Sequence, residues 1–122
     1  MADILIVDDS QLIRNLLTEY LGEKGFTTDT AFDGEQGIQK ALTGKYRLVI
    51  CDIHMPRRNG YEVFTTVRRQ FPNLNFIMTD SLPDHLAEQA QNEGAIGCLQ
   101  KPFDLNELIK IVEKLLTPNP VR

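Results

Sequence analysis

Two apolar runs stand out along the chain, Ile4-Leu5-Ile6-Val7 and Leu48-Val49-Ile50-Cys51, and each ends abruptly in acid, Asp8-Asp9 after the first and Asp52 after the second. Short continuous apolar runs rich in β-branched residues read as strands covered on both faces, as in parallel sheets, and not as the alternating strands of a half-wet sheet. Elsewhere the apolar spacing switches to three and four. Ser10 is placed to cap a helix carrying Leu12, Ile13, Leu16, Leu17, Tyr20 and Leu21, ended by Gly22 or Gly25. Phe26 to Ala31 predicts a weaker, Thr-rich strand, Asp33-Gly34 a turn, and Ile38, Ala41 and Leu42 a short helix ended by Gly44. Tyr46 to Asp52 is the third strand and His54 to Asn59 a loop, interrupted by Pro56. Tyr61, Val63, Phe64, Val67 and Arg68 belong to a helix closed before Pro72. Asn75 to Thr79 is the fourth strand, and Pro83, Asp84 and Glu88 open a helix whose apolar stripe is only Leu86 and Ala90. Ala95 to Leu99 is the fifth strand, Lys101-Pro102 a break, and Leu105, Leu108, Ile109, Val112, Leu115 and Leu116 form the strongest amphipathic pattern.

Strands alternating with helices imply a doubly wound α/β sandwich, a (βα)5 parallel sheet, because right-handed crossovers lay helices on both faces. The length of 122 residues suits one domain. Residues 1–117 are expected to form it, with 118–122 a C-terminal tail or the start of a linker. At 42% apolar and 25% charged the composition calls for neither disorder nor a disulfide scaffold. Thirteen basic against seventeen acidic residues give −4, so no direct nucleic-acid binding and no attraction to anionic lipid are expected. No segment reads as a membrane span or a targeting signal, and the expected location is the cytoplasm. Cys51 and Cys98 have no His or Cys at metal spacing and read as reduced packing residues.

The two acidic strand ends carry the chemistry. Ligands of open α/β sheets bind at the carboxyl edge, where the strand order reverses. If the two strands are neighbours, Asp8, Asp9 and Asp52 meet there. Two unit charges about 5 Å apart at an effective dielectric near 20 repel by roughly 3 kcal/mol, so either one acid takes a proton or a cation joins them. Carboxylates without His or Cys favour a hard ion, and an open site with few protein ligands suits hydrated Mg²⁺ and leaves room for phosphate oxygens. Thr79 at the end of the fourth strand adds a hydroxyl donor, and Lys101 after the fifth adds a mobile positive charge. These are the parts that phosphoryl transfer needs.

Asp8-Asp9, Asp52 with Met55-Pro56 and Gly60 behind it, Thr79, and Lys101-Pro102-Phe103 together resemble the receiver domain of bacterial two-component response regulators, over essentially the whole chain. The resemblance implies a flavodoxin-like, chemotaxis-regulator-like fold with strand order 2-1-3-4-5. It implies that Asp52 takes phosphate from the phosphohistidine of a sensor kinase or histidine phosphotransfer protein. Mg²⁺ would be held by Asp8 or Asp9, Asp52 and the backbone carbonyl of His54, directly or through water. Thr79 and Lys101 would contact the phosphoryl group, with a cis Lys101-Pro102 bond. Phosphorylation would shift the face of the fourth helix, fifth strand and fifth helix towards an output domain or downstream partner. Such a module catalyses only its own phosphorylation and dephosphorylation, as a monomer or a phosphorylation-dependent dimer. Two positions depart from the pattern. Cys98 stands where the family usually has an aromatic switch residue, and Asp80 where it commonly has a small one. The extra Asp80 carboxylate is expected to disfavour the phosphorylated form or slow access of the donor.

Each residue also has an ordinary reading: Asp8 as a turn residue, Asp9 as a helix cap, Asp52 as a cap of its loop, Thr79 as a strand end, Lys101 as surface charge. The His54 imidazole is assigned no role. The alternatives to a phosphoacceptor are a degenerate receiver that binds partners without phosphate, and a small Mg²⁺-dependent phosphatase of the haloacid-dehalogenase type. The latter needs a second acid two residues after the nucleophile, where this chain has His54.

Overall fold

The computed structural model describes residues 2–80 and 85–116. In chain order the elements are β1 (Ile4–Val7), α1 (Gln11–Glu23), β2 (Thr28–Ala31), α2 (Gly34–Ala41), β3 (Leu48–Asp52), α3 (Gly60–Gln70), β4 (Asn75–Asp80), α4 (His85–Asn92), β5 (Gly97–Gln100) and α5 (Leu105–Leu115). The five strands form one sheet in order β2-β1-β3-β4-β5, every pair parallel. This is the expected doubly wound flavodoxin-like fold. β1 lies directly beside β3, so the two acidic strand ends are neighbours.

The continuous apolar runs are divided between two cores. Leu5, Val7, Val49, Cys51, Phe76 and Met78 pack on one face with α2, α3 and α4 residues such as Ile38, Phe64 and Ala90. Ile4, Ile6, Leu48, Ile50 and Ile77 pack on the other with Leu17 and Leu21 of α1 and Leu108, Ile109 and Val112 of α5. Caps fix where helices begin: Ser10 accepts from the Ile13 N–H, Asp33 from Gln36, and Asn59 forms a capping box with Glu62.

Several boundaries and faces differ from the sequence pattern. β2 begins at Thr28, because Phe26 turns into the core and pairing starts only where the Thr27 carbonyl accepts from Asp3 and Ile4. β3 begins at Leu48, not Tyr46, whose hydroxyl instead donates to Asp29. β4 runs one residue further, to Asp80, which pairs with Gln100. β5 starts at Gly97 because the Ala95 N–H is still bonded to the Ala90 carbonyl of α4. In α1, Leu12 and Leu16 are not core: they are 76% and 44% exposed, on the flank away from Leu17 and Leu21. The expected helix-opening residues Pro83 and Asp84 and the expected tail 118–122 lie outside the described residues.

Candidate functional site

The site is built on strand ends. β1 and β3 pair from Ile4 and Leu48 up to Val7 and Cys51, which brings Asp8 and Asp52 out at the same edge. β3 and β4 pair through Asp52 and Thr79, so those two residues sit side by side. Lys101 follows β5, its N–H donating to the Asp80 carbonyl at 2.7 Å, and the Lys101-Pro102 peptide is cis. Asp8, Asp52 and Thr79 are buried while Asp9 is exposed.

Partners divide the acids by role. Asp8 is fully engaged: Oδ1 accepts from the Ser10 N–H at 2.9 Å, Oδ2 from Lys101 Nζ at 2.7 Å, and its backbone carbonyl from the Arg14 guanidinium at 2.8 Å. The Asp52 carboxylate has Lys101 3.6 Å from its Oδ2, and its buried Oδ1 has no hydrogen-bond partner among the described residues. Burial, first of all, pushes the Asp52 carboxyl up to about 6; Asp8 and Asp9 push the same way, and the Lys101 ammonium opposes them. The cation needed to hold these acids together is thus supplied in part by Lys101.

Carboxylate oxygens of Asp8, Asp9 and Asp52 come within 4.8 Å of one another. An all-oxygen donor set with an unsatisfied buried oxygen on Asp52 fits a hard divalent ion. Gly60 allows the acceptor loop to close. A side-chain carbon there would run into the Asp52 carbonyl and lie 2.8 Å from Ile53 Cα, and the Gly60 N–H donates to the Ile53 carbonyl at 2.7 Å.

Asp8, Asp9, Asp52, Thr79 and Lys101 thus come out at one sheet edge, whereas Cys98 lies within β5 beside Met78 and packs against the core; three features were not foreseen. Arg14 reaches back from α1 onto the Asp8 carbonyl; the only sequence signal is its place one turn after the Ser10 cap. Asp80, expected as an extra carboxylate facing the pocket, is instead packed away. It is 2% exposed, and its Oδ1 lies 3.2 Å from His54 Nε2. The His54 imidazole, assigned no role above, is thus held across the end of β4. Finally, a groove of about 520 Å³, lined by Ile13, Leu16, Lys101, Pro102, Phe103 and Leu105, opens beside Lys101.

Comparisons with known proteins agree with this geometry. A family model described as the response regulator receiver domain matches residues 4–113. The response regulator ArlR of Staphylococcus aureus is 32% identical over 120 residues, 98% of this chain but 55% of the relative, so the chain spans about half the length of such relatives. The chemotaxis protein CheY4 of Vibrio cholerae superposes with a TM-score of 0.83 at 32% identity, over 95% of this chain and 99% of that one. The response regulator TrrA of Thermotoga maritima, solved in complex with Mg²⁺-BeF, superposes with a TM-score of 0.85 at 37% identity, over 95% of this chain and 100% of that one.

Proposed function

Because the chain belongs to the response regulator receiver family, we propose that it works as a phosphoacceptor switch, taking a phosphoryl group onto Asp52 from a phosphohistidine donor. Receiver domains are signalling modules and not conventional enzymes; the reaction is the chain's own modification and its reversal. The observation that carries this reading is the Asp52 carboxylate, buried yet with one oxygen unpartnered among the described residues, between the Asp8-Asp9 acids, Thr79 and Lys101.

In the proposed transfer an Asp52 oxygen attacks phosphorus, the N–P bond of the donor breaks, and the imidazole leaves with the bonding electrons. Lys101 turns from Asp8 towards the transferred oxygens, and the Thr79 hydroxyl donates to one of them. Asp8, Asp9, Asp52 and the His54 carbonyl would hold Mg²⁺, which supplies neutralisation of the phosphoryl charge when bound. The Mg²⁺-BeF complex of the Thermotoga relative supports this choice of ion. A phosphoryl group adds about −1.5 to −2 charge, and two to four charge-assisted bonds of about 1.5 to 3 kcal/mol each suffice to move a two-state equilibrium. The surface of α4, β5 and α5 is the proposed output face. The donor, a sensor kinase or histidine phosphotransfer protein, would approach along the apolar groove beside Lys101. No described helix is long and apolar enough to cross a membrane, and a cytoplasmic location is proposed.

Intact mass spectrometry with Mg²⁺ and acetyl phosphate tests the reading. One added phosphoryl group, lost in Asp52→Asn and on chelation of Mg²⁺, is the expected result; an equal adduct on Asp52→Asn overturns it.

A further inference from the structure

Asp80 is a buried ionisable group at this edge that the proposed transfer does not use. Its carboxylate is 2% exposed, one residue beyond Thr79, and its Oδ1 lies 3.2 Å from Nε2 of His54, which is two residues beyond Asp52. Asp52 and Thr79 are partners in register, and the main chain continues their pairing through the Ile53 N–H to the Thr79 carbonyl at 2.9 Å. The imidazole–carboxylate contact thus ties the same two strands one step further out than the row that would hold the phosphoryl group. From the other side, the Lys101 N–H holds the Asp80 carbonyl at 2.7 Å. Asp80 therefore sits between Thr79 and Lys101, the two phosphate-contacting residues of the proposed site, and fastens both to the loop after β3. Burying a carboxylate is costly unless it is paired and hydrogen-bonded, so the pairing has a strong reason to form in the resting protein. His54, with 29% of its side chain exposed, is the member that meets solvent.

We propose that His54 and Asp80 form a latch that holds the β3–α3 loop against the end of β4 and slows both the arrival of the phosphoryl group at Asp52 and its loss. The inference rests on the phosphoacceptor reading above. Both residues are positioning residues: neither bonds to phosphorus. In the arrival step with a small donor, an Asp52 oxygen attacks acetyl phosphate and acetate leaves with the electron pair. In the loss step, water attacks phosphorus, the Asp52 carboxylate leaves, and the water proton goes to the released phosphate. An open latch speeds both, because donor and water must pass the same loop.

The test follows uptake from acetyl phosphate and loss after its removal by intact mass. Wild type is compared with His54→Ala, Asp80→Ala, the double variant and Asp80→Asn. Each single alanine variant is expected to raise both rates about threefold to tenfold, the range for loss of one hydrogen bond. The double variant should fall well short of the product of the two single effects, since the two residues share this contact. Asp80→Asn keeps an oxygen to accept from the imidazole and should stay within about twofold of wild type. Should Asp80→Ala not fold, His54→Ala, on a partly exposed loop, carries the test. Unchanged rates in the alanine variants overturn the latch while wild-type uptake leaves the phosphoacceptor reading standing. Equal acceleration by Asp80→Asn and Asp80→Ala also overturns it, assigning the effect to charge. If no form, wild type included, takes phosphate, both readings fall.

Discussion

Asp52 is the residue on which stability and chemistry conflict. Its carboxyl is raised from the ordinary 3.8 to about 6, chiefly by burial. An acid with a raised folded value binds its proton more tightly in the folded state, so its stabilising contribution is full below about pH 4 and is lost as pH rises through about 6. Asp52→Asn removes that loss. The variant should be more stable than wild type by about 1 to 3 kcal/mol at pH 7, with the difference vanishing near pH 4, read from urea midpoints. At the proposed ion site the same proton would compete with a divalent ion. Mg²⁺ should bind about tenfold more weakly at pH 5 than at pH 8 by calorimetry, since one carboxylate must be deprotonated. Lys101 competes as well, because its ammonium occupies Asp8 Oδ2 at 2.7 Å. Lys101→Met should therefore tighten Mg²⁺ binding at pH 8 by about tenfold while slowing phosphoryl uptake. Weaker Mg²⁺ binding in that variant would mean that the lysine supports the ion site instead of competing with it.

At the scale of elements, strands β1 and β3 were legible because both faces of each are buried: Ile4, Leu5, Ile6, Val7 and Leu48, Val49, Ile50 are all essentially inaccessible. The ends of β2 and β5 were not, because those strands lie at the sheet edges. Their limits are set by which neighbouring amides are still bonded to helices or turns, a matter of pairing and not of composition. The α1 pattern misled in a similar way. Leu12 and Leu16 recur with helical spacing but flank the buried stripe, and Leu16 lines the groove beside Lys101. Substituting both by Ser should change stability by no more than about 0.5 kcal/mol each. It should leave uptake from acetyl phosphate unaltered while slowing transfer from a histidine-phosphorylated protein donor, measured as radiolabel transfer. The start of α3 is the opposite case, with no room to give. Gly60→Ala would push a carbon into the Asp52 backbone, and should cost about 2 kcal/mol or more in urea unfolding and lower phosphoryl uptake.

For the whole molecule, the proposed Mg²⁺ site predicts that stability depends on a bound cation. Mg²⁺ at about 100 times its dissociation constant should add roughly 2.7 kcal/mol to unfolding, an increment abolished by chelation and much reduced in Asp9→Asn. By itself the sequence determined the α/β class, the alternation of strands and helices, and the identities of Asp8, Asp9, Asp52, Thr79 and Lys101 as strand-end residues. It could do so because two-sided burial and helical amphipathicity are written locally, in apolar runs and periodic stripes. What only the tertiary structure decided are the relations between strands remote in the chain. Lys101 rests on Asp8, 93 residues away. Arg14 caps the Asp8 carbonyl, and Asp52 keeps an oxygen without a partner among the described residues. Asp80, which from sequence was an extra carboxylate expected to hinder the phosphorylated form or the donor, is buried against the His54 imidazole. Each of these depends on the register between neighbouring strands and on the direction a side chain takes after its strand ends, and neither leaves a periodic trace along the chain.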